Sequence, residues 1–173
     1  MLPKDKEISV DLEIFSHNLR QMTALDDLDR KILREMQRDC AAPVEELGAK
    51  VGLSRNACWR RVKRLEETGV IRARVALADP AALGCALQVF IMVRASAHDP
   101  DWLETFKKAT RDLPEIVGVF RMTGDLDYLI RARVEDIADY DRLYQQLIRR
   151  APMSDVSASF VMEEIKETTA LPV

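Results

Sequence analysis

Only six glycines, three cysteines and two histidines occur among the 173 residues, and aromatic residues make up 6%. Each shortage removes a class of protein. His17 and His98 lie far apart, and the chain has no GxSxG, no HExxH and no glycine-rich phosphate loop. No nucleophile is thereby paired with a base, and the reading is of a non-enzyme. Cys40, Cys58 and Cys85 are odd in number and widely spaced, which suits neither a disulfide framework nor a CxxC metal site. They are expected to be reduced, with Cys58 a small core residue. No run approaches the ~18 apolar residues of a membrane span. The opening MLPKDKEISVDLEIF carries acids where an export signal needs basic residues and then an apolar core. The expected location is the cytoplasm, with no membrane partner, metal or cofactor.

What is present describes a folded chain. Hydrophobic residues make up 47% and charged residues 32%, and the length suits two small domains. The net charge of −3 divides unevenly, about +1 over residues 1–80 and −4 over 81–173. So small a bias matters only if the positive charge is concentrated locally.

Ile8, Leu12, Phe15 and Leu19 recur at helical spacing in an N-terminal extension, residues 1–22, and Met22 is itself a candidate start. From Leu25 the signals strengthen. Asp26 caps a helix carrying Leu28, Ile32, Leu33 and Met36 to about Arg38; a second runs from Pro43 to Val51 and stops at Gly52. Ser54 caps a third that ends near Thr68, before Gly69. Two helices joined by Gly52-Leu53 predict a helix-turn-helix over residues 23–72. Val70–Val75 reads as a strand, with 73–84 a linker strand or hinge.

From residue 85 the periodicity changes. Leu87, Val89, Ile91 and Val93 alternate with Gln88, Phe90, Met92 and Arg94, predicting a strand. A helix follows over Pro100–Leu113, then strands at Glu115–Met122 and Asp127–Val134 forming a hairpin, a helix over Ile137–Arg150 and a strand over Val156–Ile165. The fold class is α+β: an N-terminal (winged) helix-turn-helix joined to a ferredoxin-like βαββαβ sandwich over 85–173. Phe90, Met92, Phe120 and Met162 leave a second sheet face apolar, which predicts a homodimer burying sheet on sheet.

The concentrated charge lies in the third helix. Ser54–Leu65 holds five basic residues and no acid, with Cys58, Val62 and Leu65 on an inward stripe. In a helix-turn-helix the start of this helix enters the major groove, where arginine pairs with guanine and asparagine with adenine. Arg55 and Asn56 are the base-reading candidates, beside the Ser54 cap. Arg60, Arg61, Lys63 and Arg64 are candidates for phosphate contact. Trp59 is expected to pack as core or to cover the helix edge.

The sequence resembles the Lrp/AsnC family of feast/famine regulators across residues 24–172. The resemblance rests on Leu25-Asp26, Asp29, Ile32-Leu33, Glu46-Leu47, Val51-Gly52-Leu53-Ser54, Arg61-Val62, Arg64-Leu65-Glu66, Gly69-Val70-Ile71, Thr123–Leu129 and Met162–Lys166 with Thr168–Pro172. It implies a transcription factor on double-stranded DNA, acting at the nucleoid, whose C-terminal domain dimerises, assembles further into octamers and binds an amino-acid effector. Carried over, the effector loop is Thr123, Gly124, Asp125 and Asp127. Ser157 and Ser159 offer hydroxyls where many members carry threonines at the positions of Val156 and Ala158. Similarity around Asp39-Cys40, Ala57–Glu66 and Asp155–Glu163 to a branch that includes cysteine-responsive DecR-type regulators makes cysteine a candidate effector. The competing readings are a sequence-tolerant architectural DNA-binding protein and an enzyme of amino-acid metabolism.

Overall fold

The computed structural model describes residues 25–97 and 99–173. The stripe expected at 8–19, Met22, His17 and His98 lie outside the described residues. The chain divides into two compact units, one ending at Val75 but including Thr168–Val173, the other Ala76–Glu167.

The first unit is built from α1 (Asp27–Arg38), α2 (Val44–Val51) and α3 (Arg55–Glu67). Asp26 and Asp29 form a reciprocal capping box at the start of α1, which satisfies two N–H groups that the helix itself cannot bond. Ile32, Leu33, Leu47, Val51, Cys58, Val62 and Leu65 make the core, with Leu25, Met36, Val44, Leu53, Ile71 and Val173 against it. The α2–α3 turn is close. A Cβ on Gly48 would stand 2.8 Å from the Leu53 carbonyl oxygen, so any larger residue there would force the helices apart. Burial raises the pKa of the Cys58 thiol, which keeps it protonated as a core group.

Residues 70–75, expected as a strand, form none, and no β-wing follows α3 among the described residues. Strand propensity needs a partner ladder to be realised. Here Ile71 N–H instead closes α3 on the Leu65 carbonyl at 2.9 Å, and Arg74 pairs with Glu66 at 2.7 Å.

The second unit contains β1 (Leu87–Ala95), α4 (Pro100–Arg111), β2 (Ile116–Arg121), β3 (Tyr128–Val134), α5 (Ile137–Arg150) and β4 (Met153–Phe160). The sheet order is β2-β3-β1-β4, antiparallel throughout, which is the expected split βαβ arrangement. Val89, Ile91, Val93, Ile130 and Ala132 point at α4 and α5, whose Trp102, Phe106, Ala109, Leu143 and Leu147 complete the core. Trp102, Phe106 and Tyr128 form an aromatic cluster with ring centroids 4.7–5.6 Å apart.

The opposite face carries two cross-strand rows. Phe120, Leu129, Met92 and Ser157 form one; Gly118, Arg131, Phe90 and Ser159 form the other. Met162 does not join them. The last strand runs Met153–Phe160 and not Val156–Ile165, because beyond Val161 the acids Glu164 and Glu167 turn to Arg131 and Arg133.

Candidate functional site

Helix α3 begins at a side-chain cap, Ser54 Oγ accepting from the Ala57 N–H at 3.3 Å. Cys58, Val62 and Leu65 are buried beneath it, leaving Arg55, Asn56, Arg60 and Lys63 exposed. No acid occupies its first turn. The helix N-terminus, the two polar side chains able to bond base edges and the flanking cations therefore share an exposed surface. Ser54→Ala removes the cap and is expected to lower the stability of this unit by about 1 kcal/mol, readable as a shifted urea midpoint. Trp59 is not core. It is 51% exposed, with the Lys63 ammonium 5.2 Å from its ring centre.

Two of the four cations placed on phosphate by sequence, Arg61 and Arg64, are turned to the acids at the start of α1. Arg61 Nη1 donates to Asp29 Oδ1 at 2.9 Å and to Asp26 Oδ2 at 2.6 Å, while Arg64 Nη2 donates to Asp29 Oδ2. The Asp29 side chain is fully buried, and that of Arg61 is 27% exposed. The backbone N–H of Asp29, and then the Arg61 guanidinium, hold the Asp26 carboxyl below its usual pKa. Its pKa is depressed in the folded state, so this stabilisation is present above the ordinary carboxylate pKa and fades as pH falls through the lowered value. Asp26 was readable as a cap; its link to α3 was not. The available signal was an acidic helix start that must meet an acid-free basic helix in the same small core.

In the second unit, Thr123, Gly124 and Asp125 form the exposed tip of the β2–β3 hairpin, with Gly124 at φ 100°. Asp127 faces inward from the tip. Its N–H donates to the Val93 carbonyl at 3.1 Å, and its Oδ2 accepts from the Ala95 N–H at 2.8 Å. Ser157 and Ser159 lie together on the outer sheet face, on β4. They are separated from β3 by β1, about 10 Å across two strand spacings. Val156 and Ala158 face the helices instead. A groove of about 670 Å³ opens between α4 and the edge strand β2, over Phe106, Ile116 and Tyr128, with Lys107, Arg111 and Arg121 also lining it. No sequence pattern marked it, because its walls come from segments that only the fold makes neighbours.

Residues 25–66 match the AsnC-type helix-turn-helix domain, and residues 88–171 match the Lrp/AsnC ligand binding domain. A DNA-binding helix pair followed by a ligand-binding sheet domain defines an effector-responsive transcriptional regulator. The chain belongs to the Lrp/AsnC family. It is 47% identical over 149 residues to the glutamate uptake regulatory protein of Zymomonas mobilis, covering 86% of this chain and 91% of that one. It is 41% identical over 150 residues to the DNA-binding transcriptional activator DecR of Escherichia coli, covering 86% and 99%. Among solved structures, the regulator NMB0573 of Neisseria meningitidis in complex with L-Met aligns with a TM-score of 0.82 at 36% identity, covering 86% and 96%.

Proposed function

We propose that this chain reads DNA with the first turn of α3. Arg55 and Asn56 contact base edges, Arg60 and Lys63 contact phosphate, and Ser54 fixes the helix start. Arg61 and Arg64 have a different role, holding α3 to α1 through Asp29. The observation that carries this reading is the exposed, acid-free first turn of a helix whose other face is buried. The protein acts in the cytoplasm, on chromosomal DNA, as a regulator and not as a catalyst.

Two copies bury the half-exposed sheet rows of Phe120, Leu129, Met92 and Phe90 against each other, since a face of that kind gains about 25 cal/mol for each Å² of apolar surface removed from water. Such a dimer presents two copies of α3 to a pseudo-palindromic target, and dimers assemble further. The effector is an amino acid that meets the Thr123–Asp127 loop, where Gly124 admits close approach and the carboxylates attract an ammonium group. Support comes from the ligand-binding domain match and from a structural neighbour that holds L-Met. Cysteine is one candidate, through the DecR similarity.

A thermal-shift screen of the twenty amino acids tests this, because a ligand bound only by the folded state raises its stability. At least one is expected to raise the transition and to change the amount of protein bound to a labelled operator duplex. Asp127→Asn keeps an acceptor for the Ala95 N–H but loses the charge, and is expected to need at least about tenfold more ligand for both effects. An unchanged half-maximal concentration in that variant would remove Asp127 from the site.

A further inference from the structure

Within the sheet unit, the edge strand β2 is left partly bare on the side that α4 and α5 cover. In the register, Val119 stands opposite Ile130 and Arg121 opposite Tyr128. Opposed residues of an antiparallel pair share a face, and Ile130 and Tyr128 belong to the core beneath the helices. Val119 and Arg121 therefore project to the helix side. Yet Val119 remains 40% exposed, while Ile130 is buried. The uncovered space is the groove of about 670 Å³ beside α4, a volume within the ~300–1,000 Å³ of small-molecule pockets.

Its floor is apolar. Phe106, Ile116 and Tyr128 line it, and Phe106 is stacked on Trp102 with ring centres 5.0 Å apart. Its cations come from both walls, Lys107 and Arg111 from α4 and Arg121 from β2, and no Asp or Glu lines it. Lys107 has a partner outside the groove, Glu104 at 2.6 Å, whereas Arg111 and Arg121 make no ion pair among the described residues. Cations with no acid beside them attract an anion. A guanidinium group binds a carboxylate through two parallel N–H bonds. The same groups repel an ammonium ion, which would find no lining carboxylate to accept from it.

We propose that this groove is a second ligand site, which takes a small carboxylic acid with an apolar body and no ammonium group. The body lies on Phe106, Ile116 and Tyr128, and the carboxylate meets Arg111 and Arg121. This goes beyond the amino-acid reading of the 123–127 loop, none of whose residues lines the groove. The loop offers carboxylates to an ammonium group; the groove offers guanidinium groups to a carboxylate. The groove site stands whether or not the loop binds an effector.

NMR titration of the full chain, labelled at its isoleucine and valine methyl groups, tests it with ligands that share one apolar body: 3-phenylpropionate, its neutral amide, and phenylalanine. Octanoate adds an aliphatic acid of the same class. Both acids are expected to move the Ile116, Val117 and Val119 signals with half-saturation at about 1 mM or below. Val62, in the helix-turn-helix core, should stay in place. The amide and phenylalanine should need at least about tenfold more. Arg111→Gln and Arg121→Gln, both at exposed positions, should each weaken the acids about tenfold and leave the amide unchanged. Equal half-saturation by acid and amide would overturn the site. So would phenylalanine that fills the groove at the acid's concentration with the same loss in Arg111→Gln. Groove signals that ignore both acids would also overturn it, leaving the three cations as charges that guard an open strand edge. Signals that follow protein concentration instead would give the groove to a second copy of the chain and refute the ligand site.

Discussion

Replacing Asp29 by asparagine is expected to lower the stability of the helix-turn-helix unit by about 2–4 kcal/mol and to reduce DNA binding with it. Three roles converge on this side chain. It accepts from the Asp26 N–H in the capping box, it pairs with Arg61 and it pairs with Arg64, all while fully buried. Removing one member of a buried ion pair usually costs 3–5 kcal/mol, because the remaining charge has been taken out of water without a partner. The loss here is set lower, since both arginines reach solvent and Arg61 keeps Asp26. Asp26→Asn should cost less, its side chain being 51% exposed. The chain's two tryptophans fall one to each unit, Trp59 in α3 and Trp102 in α4. With Trp102 replaced by phenylalanine, Trp59 fluorescence during urea unfolding reports the helix-turn-helix unit alone. An unchanged midpoint for Asp29→Asn would show that the ion pairs do not hold α3.

Arg55→Ala should relax base preference, whereas Lys63→Ala should weaken binding to every sequence alike. A bidentate arginine–base contact is worth about 1–3 kcal/mol of discrimination, so the preferred duplex should lose about 5- to 150-fold while random duplex loses far less. A phosphate contact carries no sequence information but releases a counterion. Losing one lowers the slope of log affinity against log salt by about one. Lys63 serves as the comparison because it is exposed and its ion pair with Glu67 at 3.6 Å is itself exposed. Titrations of both variants at several salt concentrations separate the roles. Equal losses of preference from the two changes would mean that the first turn of α3 does not read bases.

Much of this architecture was legible in the sequence because its local signals agreed with the tertiary outcome. Asp26, Pro43, Gly52, Ser54 and Gly69 mark helix ends by chemistry that acts over three or four residues, and all three helices fall within a residue or two of those marks. The alternation from Leu87 to Val93 separates the buried sheet face from the outer one because β1 is a central strand, paired on both sides. At the edges the same reasoning loses force. Val70–Val75 has strand composition but no neighbour, and β4 is displaced toward Met153 because its C-terminal acids answer to arginines two strands away. The candidate site divides in the same manner. The exposed face of α3 follows from helical spacing alone. The Asp29 pairs, the seating of Leu171 on Gln37 and the groove walls join residues distant in sequence, where periodicity carries no information. Arg61 and Arg64 show the consequence: in the sequence they are part of a basic run, and in the fold their guanidinium groups lie on a buried carboxylate.

The central claim is that α3 reads sequence, and one measurement addresses it most directly. Sites are selected from a pool of random duplexes, and the recovered duplex is then competed at fixed salt against random DNA, with the unaltered protein and with Arg55→Ala. The account predicts a pseudo-palindromic site bound at least about 10³-fold more tightly than random DNA, with most of that margin in the half-site bases that Arg55 and Asn56 reach and a clear part of it lost in the variant. Recovery of no consensus, or equal displacement by selected and random duplex, would contradict it and leave a protein that binds DNA by charge alone.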